Sequence, residues 1–167
     1  MHSSLSKVDM MKTVGVYWAV WNFGCDSCIL LRNKYNDFRG ELNMTYTDML
    51  NYCLSKKGAY IDHPFGPEID IIKVEGKIFA QLFVLNGKET ATLNCERMTG
   101  EFYRHLYPGV IVRGYHCPAV QKPYFNSFPI DVIPHELILE MIEHSYATVV
   151  AKLPKYKQRL LSEDSNM

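Results

Sequence analysis

Hydrophobic positions follow a helical period at the two ends of the region from residue 44 to residue 161. In the first segment, apolar side chains recur three and four residues apart as far as Leu54, after a Thr-x-x-Asp pattern at Thr45 that is typical of a capping box. In the last segment, one continuous apolar stripe runs from residue 137 to residue 153. These patterns predict an N-terminal helix and a longer C-terminal helix, each with one buried face.

Between these helices, three short runs have the alternation and the β-branched content of strands. They are residues Ile69–Val74, Lys77–Leu85 and 88–93. The two-residue segments Glu75-Gly76 and Asn86-Gly87 separate them, and the second is the strongest short hairpin signal because both residue types tolerate positive φ. Three strands joined by tight turns predict an antiparallel meander.

The rest of this region predicts a further helix over residues 99–106 and two more strands, over residues 110–113 and 124–130. Pro129 restricts the end of the last strand to an edge or a bulge, because proline donates no ladder hydrogen bond. The order of elements predicts an α+β fold, in which an antiparallel sheet of about five strands carries the N- and C-terminal helices on one face. Residues 162–167 are expected to form a flexible tail.

Residues 1–43 are interpreted as an N-terminal extension of this domain. Their apolar run from Val14 to Trp21 is similar to the core of a signal peptide, but the run is short, Asp9 interrupts the basic leader and no small-x-small cleavage site follows. The run is also too short to span a bilayer. The extension is expected either to pack on the domain or to be partly disordered.

Composition and charge indicate an ordinary globular protein. The chain has 18 basic and 18 acidic residues, and its pI of about 7.0 disfavours a strongly electrostatic nucleic-acid-binding domain. From residue 44 onward there are 13 basic and 14 acidic residues, so any binding of DNA must depend on local clusters of positive charge. Five cysteines, an odd number, favour a reducing compartment, and a cytoplasmic location is expected.

The sequence contains no complete catalytic or metal-binding motif. It has no Gly-rich phosphate loop, no Gly-x-Ser-x-Gly elbow and no His-Glu-x-x-His pattern, and its histidines are scattered singly. Cys25 and Cys28 form an isolated Cys-x-x-Cys pair, which we interpret as two ordinary thiols because no second pair follows at zinc spacing. We therefore expect a protein that is not an enzyme and that carries no metal or other cofactor.

A series of short motifs, in this order and spacing, resembles the MmcQ/YjbR family. The motifs are Pro64-Phe65-Gly66, the segment from Lys73 to Ala80, Leu93-Asn94-Cys95, Tyr107-Pro108-Gly109, Gly114-Tyr115-His116, and Ser145-Tyr146 with Val149 and Leu153. The resemblance implies the double-wing, frataxin-like fold of that family, whose members are often described as DNA-binding. It covers residues 44 to about 160 and leaves open whether Met44 is the native start.

The chain departs from the family pattern in the segment that leads into the last predicted strand. Many relatives have Asn-Lys-Lys-His-Trp-Asn-Thr-Val there. Residues 121–128 of this chain retain Lys122 and Asn126, whereas Pro123 and Phe125 stand in place of a lysine and the tryptophan. This difference weakens the transfer of a basic recognition loop from the family to this chain.

Polar and aromatic residues around one loop and around the end of the last helix are the candidate binding residues. The donors and rings of the loop suit an anionic or planar ligand, such as a phosphate or a base. The basic residues near Pro154 suit phosphate contacts, or they favour a helix C-terminus without binding anything. The candidates are Arg113, Tyr115, His116, Lys122, Tyr124, Asn126, Lys152, Lys155 and Lys157.

Two functions are compatible with these residues. The first is weak, salt-dependent binding of duplex DNA through the loop and the C-terminal basic cluster. The alternative is a module that binds a protein or a small molecule in a groove lined by Tyr115, Tyr124 and Phe125, with no role in nucleic-acid binding. Structural roles also stay open, and Asn126 is expected to satisfy backbone groups in a twisted edge strand. The protein is expected to be a monomer and not to bind a membrane.

Overall fold

The structure, a computed structural model, describes residues 44–115 and 117–162. The helices are α1 (Tyr46–Leu54), α2 (Arg97–Leu106), α3 (His135–Ala151) and α4 (Lys155–Ser162). The strands are β1 (Ala59–Asp62), β2 (Ile69–Val74), β3 (Lys77–Leu85), β4 (Lys88–Asn94), β5 (Val112–Arg113) and β6 (Phe125–Pro129). Two 3-10 turns, Lys122–Tyr124 and Ile130–Val132, precede and follow β6. The predicted extension of residues 1–43 and the chain end from residue 163 lie outside the described residues.

The strands form one antiparallel sheet in the order β1-β2-β3-β4-β6-β5. Both predicted two-residue turns are present, and Asn86 and Gly87 have φ values of 51° and 75°, as a type I′ hairpin turn requires. The sequence analysis did not identify β1, because its four residues lie between a helix end and a proline-rich turn and are too few to show an alternation. The strand predicted to be an edge, β6, lies between β4 and β5.

The hydrophobic core lies between one face of the sheet and the helices α1, α2 and α3. Met49 of α1 and Ile138 of α3 are fully buried in the same cluster as Leu82, Leu93 and Phe128 of the sheet. The prediction of an α+β fold with the N- and C-terminal helices on one face is therefore confirmed. No helix in the part of the chain that the structure describes is both long and apolar enough to cross a membrane.

A β-bulge and a side-chain hydrogen bond position α3 on the sheet. The β2–β3 register shifts so that Phe79 is the extra residue between two paired positions, and both Phe79 and Ala80 lie in the core. The hydroxyl of Ser145 in α3 donates to the carbonyl oxygen of Phe79. The bulge thus presents a backbone acceptor to the helix that covers it.

The basic segment after Pro154, which sequence patterns left unassigned, forms α4. Leu161 packs against the hydrophobic core, next to Gly58. Lys157 Nζ lies 2.7 Å from Glu75 Oε2 in the β2–β3 turn. These contacts hold α4 at the end of the sheet where β2 ends and β3 begins.

Candidate functional site

The two ends of the sheet carry opposite charge. At one end, β2 and β4 finish and β3 and β6 begin; at the other end, the reverse holds. The first, which we name the basic end, is defined by Lys77, Arg97, Arg113, Lys122, Lys152, Lys155, Lys157 and Arg159, which outnumber the acidic residues Glu75, Glu96 and Glu101 at the same end. The second, the acidic end, is defined by Asp48, Asp62, Glu68, Asp70, Glu89, Asp131 and Glu136. The near-neutral total charge of this region therefore results from two opposite local charges.

Helix direction contributes to this separation. Helix α1 begins at the acidic end, where the hydroxyl of Tyr46 donates to Asp70 over 2.7 Å. Helix α3 also begins there and reaches the basic end near His144, whose Nε2 accepts from the backbone N–H of Glu96 over 3.3 Å. Carboxylates in the first turn of a helix are stabilised by the helix dipole, so the direction of α1 and α3 favours Asp48 and Glu136 at the acidic end.

At the basic end, the carboxylate of Glu101 in α2 lies between two guanidinium groups. Its Oε1 is 3.1 Å from Nη2 of Arg104 and 3.1 Å from Nη2 of Arg113. The side chain of Arg104 is only 10% exposed, whereas that of Arg113 is 57% exposed. Arg104, followed by Arg113, holds the pKa of Glu101 below its usual value. The candidate Arg113 therefore has an internal ion-pair partner.

The buried side-chain amide of Asn126 connects Arg104 and Glu101 of α2 to the sheet. Arg104 Nη1 donates to Oδ1 of Asn126, and Nδ2 of Asn126 donates to the carbonyl oxygen of Gly100 over 3.4 Å. Asn126 is fully buried, so its side chain joins β6 to α2 and is not available to a ligand at the surface. As expected from the sequence, it satisfies a backbone group. Sequence reasoning did not single out Arg104, since an i,i+3 spacing from Glu101 indicates no more than a surface ion pair.

Gly100 allows α2 to pack closely against Cys95, the residue that follows β4. A Cβ atom at this position would lie 2.7 Å from Cys95 Sγ and 3.1 Å from Arg104 Nη1, so a larger residue requires its neighbours to move. The backbone N–H of Cys95 donates to the carbonyl oxygen of Tyr124 over 2.9 Å. Burial raises the pKa of the Cys95 thiol to about 11, which keeps it protonated at neutral pH.

The loop between β5 and β6 is anchored through its backbone. The N–H of Tyr115 donates to Ser127 Oγ over 2.9 Å, and the Ser127 hydroxyl is 2.6 Å from that of Thr92. The rings of Tyr115 and Tyr124 are 52% and 42% exposed. Lys122 is exposed and forms no ion pair with any residue that the structure describes. The candidate His116 lies outside the described residues.

The C-terminal candidates lie at the same end of the sheet as the loop. Lys152 and Lys155 are exposed, and within the described part of the chain neither forms an ion pair, whereas Lys157 is paired with Glu75. Lys152 is close enough to Cys95 for its charge to oppose the rise in the pKa of that thiol. Three strand spacings separate β3 from β5, so the basic end is roughly 15 Å wide along the sheet.

A second polar cluster lies at the acidic end. His63 Nε2 is 2.8 Å from Oδ1 of Asp70, and the other carboxylate oxygen of Asp70 accepts from Tyr46. Asp62 forms an ion pair with Lys73. No three His, Cys, Asp or Glu side chains among the described residues are grouped so that they could hold a metal ion.

Comparison with known proteins places the chain in one family. The YjbR family model matches residues 54–148, more than half of the chain. The chain is 32% identical over 96 residues to the protein YbdF of Escherichia coli O157:H7, a match that covers 58% of this chain and 76% of that protein. It is 25% identical over 119 residues to YjbR of Escherichia coli strain K12, covering 71% of this chain and 98% of that protein.

Two crystal structures are similar to this one in fold. The Deinococcus radiodurans protein DR2400, of domain family DUF419, gives a TM-score of 0.64 at 24% sequence identity, with coverage of 72% of this chain and 92% of that chain. A Pseudomonas syringae protein gives a TM-score of 0.53 at 18% identity, with coverage of 63% and 98%. At this level of identity, the likeness concerns the fold alone. The match of the YjbR family model to more than half of the chain shows that the chain belongs to the YjbR family.

Proposed function

We propose that this protein is not an enzyme and that it binds duplex DNA weakly, through backbone phosphates, at the basic end. The observation that carries the proposal is the separation of charge between the two ends of the sheet. A protein without net positive charge can attract a polyanion only where its cations are concentrated. The exposed, unpaired lysines Lys122, Lys152 and Lys155 provide such a concentration within the described residues.

The dimensions of the basic end suit a phosphate backbone. Over roughly 15 Å, one strand of a DNA duplex presents about four phosphates. Lys122 and Arg113 lie near one side of this end, and α4, which carries Lys155, contacts the other side through the Lys157–Glu75 ion pair. The exposed residues Tyr115 and Tyr124 belong to the same loop as Lys122, and their rings can pack against sugars or bases. Contacts of this kind are independent of base sequence and are weakened by salt.

The chemistry of the nearby thiols supports a binding role over a catalytic one. Cys95 and Cys117 are both buried, and burial raises the pKa of each thiol. A thiol that stays protonated is a poor nucleophile. The His63–Asp70 pair at the acidic end is oriented by Tyr46, and within the described residues it has no nucleophile hydrogen-bonded to it.

The proposal is tested by fluorescence anisotropy with a labelled 20-base-pair duplex, titrated between about 20 and 200 mM salt. Lys122→Ala and Lys155→Ala should each weaken binding and should each lower the slope of log K against log salt by about 0.9, the value for one lost phosphate contact. Lys88→Ala is the matched control, because Lys88 is an exposed lysine at the acidic end of the same sheet.

Two results would contradict the proposal. One is the absence of saturable binding at low salt up to high micromolar concentrations of protein. The other is an equal effect of Lys88→Ala and Lys122→Ala, since this would mean that total charge, and not the basic end, determines the affinity.

The alternative is binding of a protein or small molecule by the exposed rings, and the observation in its favour is the exposure of Tyr115 and Tyr124 beside Val120, which is 85% exposed. A pull-down from lysate with and without nuclease distinguishes the two functions. Nuclease removes a partner that is recovered through nucleic acid, whereas a directly bound protein remains. Loss of that protein on Tyr124→Ala, with DNA binding absent throughout, would favour the alternative.

A further inference from the structure

We propose that Arg104 and Arg113 form a phosphate subsite, and that the carboxylate of Glu101 occupies the position of the phosphate in this structure. The subsite rests on the proposed function, because it names two of the groups that would contact a phosphate at the basic end. Its ligand is a phosphate group, carried either by a nucleic-acid backbone or by a small phosphate ester. These sources share the same chemistry and are separated by experiment.

The first argument is the geometry of the two guanidinium groups. A single oxygen, Glu101 Oε1, is 3.1 Å from Nη2 of both Arg104 and Arg113. The two nitrogen atoms therefore converge on one anionic oxygen, which is how paired arginines bind phosphate. Glu101 is 31% exposed and belongs to the surface of α2, so a change of rotamer can remove its carboxylate without moving the helix.

The second argument is independent and concerns Arg104 alone. Its Nε is buried and has no hydrogen-bond acceptor among the described residues, whereas its Nη1 is bonded to Asn126 and its Nη2 lies 3.1 Å from Glu101 Oε1. Glu101 therefore compensates the charge of Arg104 at Nη2 and leaves Nε without an acceptor. Leaving a buried donor without an acceptor is costly, so such a donor marks a place where a bound group can complete the hydrogen bonds. A tetrahedral phosphate has more acceptor oxygens than a carboxylate, so a phosphate in the place of Glu101 would offer an acceptor to Nε as well as to Nη2.

The third argument is that the site is rigid. Arg104 is fixed by Asn126 of β6, and Asn126 is in turn bonded to Gly100 of α2. Arg113 lies on β5, and its backbone pairs with that same residue of β6. The guanidinium of Arg104 and the backbone of Arg113 are therefore held by one hydrogen-bonded unit. Phosphate binding would then require only that a phosphate group replace the carboxylate of Glu101.

The test is a titration of the protein with inorganic phosphate, followed by the NMR signals of the arginine Nε–Hε groups. In the wild type we expect the Arg104 and Arg113 signals to shift together and to saturate. Glu101→Gln should tighten phosphate binding about two- to fivefold, because it removes the competing charge of an ion pair. Glu96→Gln is the matched control, since it makes the same change of charge at an exposed position next to α2.

Arg113→Ala provides a second test, because this exposed side chain can be truncated without opening the core. It should abolish the phosphate-induced shift of the Arg104 signal, while the melting temperature stays within a few degrees of the wild type. The subsite is refuted if phosphate causes no saturable shift in either wild type or Glu101→Gln, if Glu96→Gln and Glu101→Gln have the same effect, or if Arg113→Ala still gives the saturable Arg104 shift.

The same variants separate the subsite from DNA binding. If phosphate binds as described and the duplex does not, the subsite is retained and the DNA proposal fails, which leaves a small phosphate ester as the ligand. If the duplex binds and Glu101→Gln has no more effect than Glu96→Gln, DNA binding at the basic end is retained and the subsite is rejected.

Discussion

The amide of Asn126 holds a charged group in the interior of the protein. It accepts from Arg104 and donates to Gly100, and its own side chain is fully buried. A guanidinium that loses an acceptor in a buried site retains its charge but not its solvation. This single residue therefore links the packing of α2 on the sheet to the geometry of the candidate phosphate subsite.

Asn126→Ala should destabilise the protein by about 2–3 kcal/mol, because it removes a hydrogen bond to a charged group and leaves Arg104 with one acceptor fewer. The change is measured as the free energy of unfolding in urea. Asn51→Ala, on the exposed surface of α1, is the control and should remain within about 0.5 kcal/mol of the wild type. If Asn126→Ala and Asn51→Ala lower the free energy of unfolding by similar amounts, the amide of Asn126 has no special role in holding Arg104.

Helix α2 shows how an unfavourable local residue can be required by contacts between elements. Glycine within a helix costs about 1 kcal/mol relative to alanine. At Gly100 the helix approaches the end of β4 so closely that a Cβ would lie 2.7 Å from the sulfur of Cys95. The intrinsic preference of the helix for alanine is therefore opposed by its packing on the sheet.

Gly100→Ala should destabilise the protein by about 1–3 kcal/mol, as expected for overpacking of a filled site. The same substitution in a Cys95→Ala background should cost less, because the nearest atom has been removed. A double-mutant cycle of unfolding free energies measures this coupling. An additive result would show that the contact with Cys95 does not oppose alanine at this position.

At the scale of the whole molecule, the fold separates charges that are balanced along the chain. Acidic first turns of α1 and α3 meet the acidic end of the sheet, while the loop before β6 and helix α4 bring lysines to the basic end. Among the groups that titrate at or below neutral pH, the fold lowers the pKa of carboxylates in ion pairs and of one partly buried histidine, His144. The stability of the molecule should consequently depend on pH in two separate ranges.

The first range concerns His144, whose pKa is lowered from 6.5, mainly by burial. Its Nε2 accepts from the backbone N–H of Glu96, so the folded protein favours the neutral ring. The unfolded chain binds a proton more readily, and this contribution to stability is full above about pH 6.5 and is lost as the pH falls through the folded pKa. Unfolding free energy should therefore fall between pH 7.5 and 5.5, and His144→Gln should reduce that fall. An equal decrease in variant and wild type would contradict this assignment.

The second range lies at lower pH and involves carboxylates. The pKa of Glu101 is lowered by Arg104 and Arg113, and that of Asp62 is lowered chiefly by Lys73. Carboxylates with lowered pKa stabilise the fold above their unfolded pKa and lose this effect as the pH falls through the folded value. This loss begins below about pH 4.5 and should persist in His144→Gln.

By itself, the sequence determined the features that depend on neighbouring residues. The capping box at Thr45, the Asn86-Gly87 turn and the apolar stripe of α3 each contain their structural signal within a few residues, which is why the α+β fold could be predicted. The motifs of the YjbR family were also readable, because they are contiguous. Strand β1 was too short to show a pattern, and α4 depends on Leu161 packing against the core.

Only the tertiary structure decided where the charges meet and which polar side chains are inside. A count of charged residues gives no indication that Lys122 and Lys155 lie at one end of a sheet while Asp62 and Glu89 lie at the other, because strand pairing and helix direction set those positions. Asn126 and Lys122 are polar candidates only four residues apart in the sequence, yet one is fully buried and the other is exposed. Contacts between residues far apart in the chain, such as that of Arg104 with Asn126, exist only once the helix has packed on the sheet.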